Sequence, residues 1–449
     1  MSREKKYEID MCNGSIMDKL ISFALPLMLS GMLQLMFNAV DIVVVGRFSG
    51  SQSLAAVGAT TALIYLFTNL FIGISLGANV LAARYYAAGK HEEMSETVHT
   101  AMMFALISGI IMIFVGLFFS RLALEIMGTP SDVIDQATLY MRIYFLGMPF
   151  FMLYNYGAAI LRAVGDTKRP LIFLIISGVV NACLNMLLVI VFHLDVAGVA
   201  IATVTSQFIS CVLVIACLYR TKSSYQLRFS RLKIQKKYLK PICQVGIPAG
   251  IQSTVINFSN ALLQSSVNSF GSTTMAGYTA ANNIFGFLYV SVNAITQACM
   301  SFTSQNYGLR KLKRMDKILM DCLILTVVVS LVLGGGVYLF GAEILRLYTE
   351  EAEVIRCGIE IFAYTTVTYF LCGIMDLFPG ALRGMDRSTV PMILSVIGTV
   401  GTRIVWVFWL FPAHRSLAFL FISYPASWTF TIIMQVICFI CVRKIVNRR

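Results

Sequence analysis

Long apolar runs, separated by short clusters of charged and polar residues, set the rhythm of the chain. Twelve such runs lie near 20–46, 54–83, 98–119, 137–160, 171–192, 196–219, 241–267, 275–303, 319–341, 354–380, 389–411 and 417–441. Each is long enough to carry a helix across the hydrocarbon core of a bilayer, which takes about 20 residues. Inside lipid the backbone has to satisfy its own hydrogen bonds. No run shows sustained alternation with period two, so the runs are predicted to be helices and not strands. The expected fold is an all-α integral membrane protein with twelve transmembrane helices.

The polar clusters orient those spans. With the N-terminus placed in the cytoplasm, 28 of the 35 Lys and Arg fall in cytoplasmic segments. Four (Arg47, Arg121, Arg346, Arg415) fall in outer loops, and three (Arg142, Arg356, Arg403) within spans. Such a bias puts both termini inside, and it supports an even number of spans, because one missed helix would scramble the alternation. It also accounts for the net charge of +13, which in a soluble chain would suggest a nucleic-acid partner; none is expected here. Composition agrees: 58% hydrophobic and 13% charged residues, with a mean hydropathy of +0.78, against about 45–50% and about 25% in soluble chains. That excludes an ordinary soluble enzyme, a disordered scaffold and a secreted disulfide module. The 11 cysteines are scattered, and Cys438 and Cys441 read as packing or lipid-facing thiols. The segment MSREKKYEIDMCNG has no apolar core, so no signal peptide is expected. No His pair has metal-ligand spacing and no Walker A motif is present, which argues against ATP drive.

The two halves of the chain repeat each other. PLMLSGMLQLMFN from Pro26 pairs with PAGIQSTVINFSN from Pro248, ARYYAAGKHEEM at 83–94 with SQNYGLRKLKRM at 304–315, and LRAVGDTKRP at 161–170 with LRGMDRSTVP at 382–391. The offsets agree at 221 or 222 residues. Six helices is an even number, so both halves insert the same way up and are related by a pseudo-twofold axis along the membrane normal. The expected organisation is an N-terminal six-helix lobe at 1–219, a basic cytoplasmic linker at 220–240 and a C-terminal six-helix lobe at 241–449. Such a pair of lobes suits a rocking transporter.

VDIVVVGRF at 40–48, LAAVG at 54–58, LRAVGDTKRP, and NACLN followed by GVAIAT at 198–203 resemble the multidrug and toxic compound extrusion family, in order and over nearly the whole chain. The resemblance implies a V-shaped pair of six-helix bundles in the cell membrane. It implies export of small amphipathic organic cations, driven by inward Na+ or H+. Separately, a monomer without a cofactor is expected, and no nucleophile, base or metal cluster supports an intramembrane enzyme. A lipid-linked precursor flippase would need membrane-embedded Arg and Lys, which are few. A major-facilitator-type carrier would need an Asp- and Arg-rich loop between helices 2 and 3, which ARYYAAGKHEEM does not supply.

Candidate chemistry lies at membrane depth, where a charge is costly and defaults to function. Gln34, Asn38 and Asp41 are spaced four and three apart and share a helical face, as do Ser177, Asn181 and Asn185. Asn185 and Thr203 flank the turn at 193–195 at equal spacing, roughly 13 Å below it at about 1.5 Å per residue. One carboxylate, two amides and a hydroxyl offer hard oxygen ligands to a small cation. In the resembled family the positions matching Asp41, Asn181, Asn185 and Thr203 form the cation-coupling site. Beyond Na+ there, no metal is expected. The offset of 221 sends Asn181 to Thr402 and Asn185 to Trp406, so the second lobe has no equivalent ion site. Gln34, Asn38, Asn257, Asn260 and Asp376 are the candidates for lining a substrate cavity. Asp376 and Arg403 are too far apart in depth to pair. Pro26, Pro149, Pro248 and Pro379 interrupt helices, and the family resemblance makes Pro26 a candidate hinge.

Overall fold

The computed structural model describes residues 7–447. Twelve helical rods follow one another, with no β-strand among the described residues. They are α1 Met17–Phe48, α2 Gly50–Ala87, α3 His91–Ile126, α4 (Ile134–Leu146 and Met148–Ala163), α5 Lys168–Val191 and α6 Asp195–Arg220. The second half gives α7 Lys236–Asn268, α8 Ser272–Gly308, α9 Leu312–Leu339, α10 (Ala352–Thr365 and Tyr369–Gly384), α11 Thr389–Leu410 and α12 Leu417–Asn447. The apolar runs are the middles of these rods; α3, read as 98–119, begins at His91 and ends at Ile126. Helices run on past the apolar stretch because the backbone keeps its i→i−4 bonds wherever the solvent changes.

Among the described residues nine rods are long and apolar enough to cross a membrane singly, and the two bent rods bring the number to eleven. The twelfth, α7, is long enough at 33 residues but too polar, carrying Gln252, Asn257, Asn260 and Gln264 along its length. α4 bends by 48° beside Pro149, whose missing N–H frees a carbonyl one turn back. α10 bends by 51° between Thr365 and Tyr369, and Pro379, the residue expected to interrupt it, lies inside the unbroken second segment. The bend falls where Thr365, Thr366 and Thr368 turn their hydroxyls onto the carbonyls of Ile361, Phe362 and Tyr364 at 2.6, 2.7 and 2.9 Å, a competition that loosens a helix. Pro26 and Pro248 likewise lie within continuous helices.

The rods form two compact units, neither of them a single stretch of sequence. The first holds the described residues through Asp10 together with Leu29–Gly250; the second holds Met11–Met28 together with the described residues from Ile251 onward. The segment 220–240, expected as the linker between two lobes, lies within the first unit. In that unit α2 meets the start of α7 backbone to backbone. A Cβ at Gly73 would overlap Gly250, and one at Gly77 would overlap the carbonyl of Ile242. Small residues are what permit such an approach between helices in lipid. Phe145, Met148, Met152 and Tyr156 of α4 are fully buried at its centre. In the second unit Phe23 packs edge-on against Phe302 at 5.6 Å. Asn306 donates to the Met11 carbonyl at 3.1 Å, Lys311 to that of Cys12 at 2.9 Å and Arg314 to that of Gly14 at 3.0 Å.

Candidate functional site

In the first unit α1 brings Asp41 to the α5–α6 hairpin. Asn185 Nδ2 donates to Asp41 Oδ1, and the same nitrogen donates to Asn181 Oδ1 at 3.2 Å. The four-residue spacing of the two asparagines makes that second contact on one face of α5. Asn185 is fully buried and Asn181 nearly so, while Asp41 is half-buried. Immediately after Asn185 the helix widens into a π turn, Met186–Val191, a distortion common at functional positions.

Two buried oxygens, one on α5 and one on α6, accept nothing. Asn185 Oδ1 and Thr203 Oγ1 have no hydrogen-bond partner, although a buried acceptor left unpaired costs about 1–3 kcal/mol. Thr203, on α6, offers its backbone carbonyl to Ser206 at 2.7 Å, and no hydrogen bond joins it to Asp41. The observed contacts thus give one carboxylate held by one amide donor, with the amide oxygen of Asn185 left over as an acceptor. No group of three His, Cys, Asp or Glu side chains able to hold a metal occurs among the described residues. Oxygen donors with a single negative charge suit a monovalent cation or a proton better than a transition metal.

Two tyrosines join the candidate residues here. Tyr140 and Tyr144 of α4 both lie close enough to Asp41 to interact with it electrostatically. Their spacing of four puts them on one face of α4. That signal was present, but nothing in it says which helix the face meets.

The candidate cavity residues are scattered more widely. Gln34 and Asn38 of α1 are exposed and make no hydrogen bond to Asp41, and Asn257 of α7 is exposed. Asn260 is engaged, accepting from Arg403 Nη1 at 2.7 Å. Asp376 is half-buried on α10 and interacts electrostatically with Arg383, whose Nη2 donates to Gln252 at 2.7 Å. No ion pair joins Asp376 to Arg403 among the described residues. Pro26 is buried in α1.

A family model described as MatE matches residues 26–187 and again 248–409. The chain is 28% identical over 423 residues to the probable multidrug resistance protein YoeA of Bacillus subtilis (strain 168), covering 92% of this chain and 91% of that one. It is 21% identical over 397 residues to the multidrug export protein MepA of Staphylococcus aureus (strain NCTC 8325 / PS 47), covering 88% and 87%. A solved structure described as the outward-facing conformation of a multidrug resistance MATE family transporter of the MOP superfamily superposes with a TM-score of 0.90 at 19% identity, over 98% of both chains.

Proposed function

The chain belongs to the MatE family, and on that premise we propose that it is a secondary active exporter of small amphipathic organic cations, exchanging them for inward Na+ or H+ by alternating access. The observation that carries the coupling half of this reading is the lone Asp41 carboxylate beside Asn185, with the oxygens of Asn185 and Thr203 unpaired. A carboxylate in a low-dielectric bundle favours whatever neutralises it, a proton or a desolvated sodium ion. Asn181 and Asn185 join it as ligands, and Thr203 supplies the hydroxyl. When the cation binds, the conformation with lower affinity for drug is favoured, and by linkage the drug disfavours the cation equally.

Exported cations would meet Asp376 and the amides of Gln34, Asn38 and Asn257 along their route. Pro26 would serve as the hinge in α1. The protein would act as a monomer in the cell membrane, both termini in the cytoplasm, on the strength of the Lys and Arg bias. The deciding experiment reconstitutes the full chain in proteoliposomes loaded with a fluorescent amphipathic cation and imposes sodium and proton gradients separately. Efflux accelerated by an opposing gradient of one ion supports the reading. Efflux indifferent to both gradients overturns it.

A further inference from the structure

In the second unit one side chain stands out. Arg403 of α11 is only 2% exposed, yet no carboxylate pairs with it among the described residues. A buried guanidinium without a counter-ion is expensive, so its surroundings matter. Nη1 donates to Asn260 Oδ1 at 2.7 Å and to Ser259 Oγ at 3.4 Å, both on α7. The guanidinium carbon lies 4.6 Å from the ring centroid of Tyr424 on α12, and the Tyr424 hydroxyl is held at 3.0 Å by that of Tyr278 on α8. Nε is buried with no acceptor. An amide oxygen, a hydroxyl oxygen and an aromatic face are all groups that receive cations. The site is thus built as a cation receptor, and the cation in it belongs to the protein.

Register connects this site to the one in the first unit. The segment at 161–170 pairs with 382–391 at an offset of 221. The two family matches, 26–187 and 248–409, are related by 222 at both ends. Between Pro391 and Arg403 lies a π turn, Val396–Gly401, and a π turn takes one residue more than an α turn. Beyond it the offset is 222, and the counterpart of Asn181 is Arg403, not Thr402. The counterpart of Asp41 is Leu263, fully buried in apolar surroundings. Where the first unit offers a carboxylate and amides to a mobile ion, the second has exchanged the carboxylate for leucine and an amide for arginine.

We infer that the second unit retains a cation site permanently filled by the guanidinium of Arg403, so that only the first unit takes up a coupling ion. This deepens the reading of Asp41 as the coupling residue and sets one ion site per chain. The test uses thermal unfolding of the purified full-length protein, so its failure is separate from any failure of coupled transport. Arg403→Ala should leave a gap of guanidinium shape. Millimolar guanidinium should then raise the melting temperature of the variant saturably, by about 2–4 °C at a tenfold excess over its Kd. Equal concentrations of sodium should do less, and the wild type should show no rise. The same rescue should persist in an Asp41→Asn background. Arg403→Met, which fills the gap with an uncharged chain, should not respond. Equal responses of wild type and Arg403→Ala to guanidinium overturn the inference. So does an Arg403-dependent stabilisation of the wild type by chloride over a bulky anion, which would make the residue an anion receptor. Where the alanine variant does not survive purification, lysine and methionine variants decide. Lysine should keep most of the wild-type melting temperature and methionine lose it, and equal values refute the filled site.

Discussion

Replacing Asp41 by asparagine isolates the charge. An amide oxygen can accept from Asn185 Nδ2 as the carboxylate does, so the hydrogen bond survives in neutral form. A bond to a charged group contributes about 1.5–3 kcal/mol and a neutral one about 0.5–1.5. The variant is therefore expected to lose on the order of 1 kcal/mol of stability and to remain folded. What it loses outright is the ability to bind a proton or balance a sodium ion. Couplings between sites typically run about 1–3 kcal/mol. Because Asp41 is half-buried and partly screened, the lower part of that range is expected, about 1–2 kcal/mol, or roughly a 5- to 30-fold change in drug affinity. In the wild type, drug affinity should fall by that factor as the coupling cation is raised, whether by lowering pH or by adding sodium. In Asp41→Asn it should stay flat. The assay is equilibrium binding of a fluorescent cation to purified wild type and variant across a pH series, with and without sodium. A variant that retains wild-type ion dependence and gradient-driven efflux would show that Asp41 merely ties helices together.

Single cysteines placed in 220–240, in a chain freed of its 11 native thiols, should resist an impermeant thiol reagent applied outside intact cells; ready labelling would reverse the proposed orientation. Asn181→Ala should weaken ion coupling far more than Thr402→Ala, one residue before the repeat counterpart Arg403, at matched expression, and equal losses in coupled efflux would contradict a single site. Gly77→Leu, whose side chain would run into the Ile242 carbonyl, should cost at least about 1–3 kcal/mol of overpacking strain, read as a lowered melting temperature of the purified protein. A melting temperature equal to wild type would mean that α2 and α7 do not meet there.

Much of this was legible in the sequence. The runs give twelve rods because a span in lipid has one way to satisfy its backbone. Asp41 and Asn185 could be named because a polar residue on an apolar helix has to face something. What stayed hidden was partner choice. Tyr140 and Tyr144 share a face, but their approach to Asp41 depends on how α4 lies against α1. Arg403 could be flagged as costly, yet its amide and aromatic neighbours come from helices some 140 residues away or across a hairpin. The π turn at Val396–Gly401 was invisible because i→i+5 bonding leaves no mark in hydropathy. Its single extra residue moved the counterpart of Asn181 from Thr402 to Arg403. The bend in α10 lies at threonines and not at Pro379, and their back-bonding to the main chain is a matter of rotamer.

The assignment of residues 11–28 to the second unit sets a timetable for biosynthesis. The carbonyl of Met11 finds its donor in Asn306, 295 residues further along. At about 5–20 residues per second, the ribosome needs roughly 15–60 s to reach it. Through that interval the start of α1 is inserted without the neighbours it will keep, whereas the first unit has all of its residues once Gly250 is made. The two units thus become complete in order: the first once residues 236–250 are made, the second only when the later helices reach the start of α1.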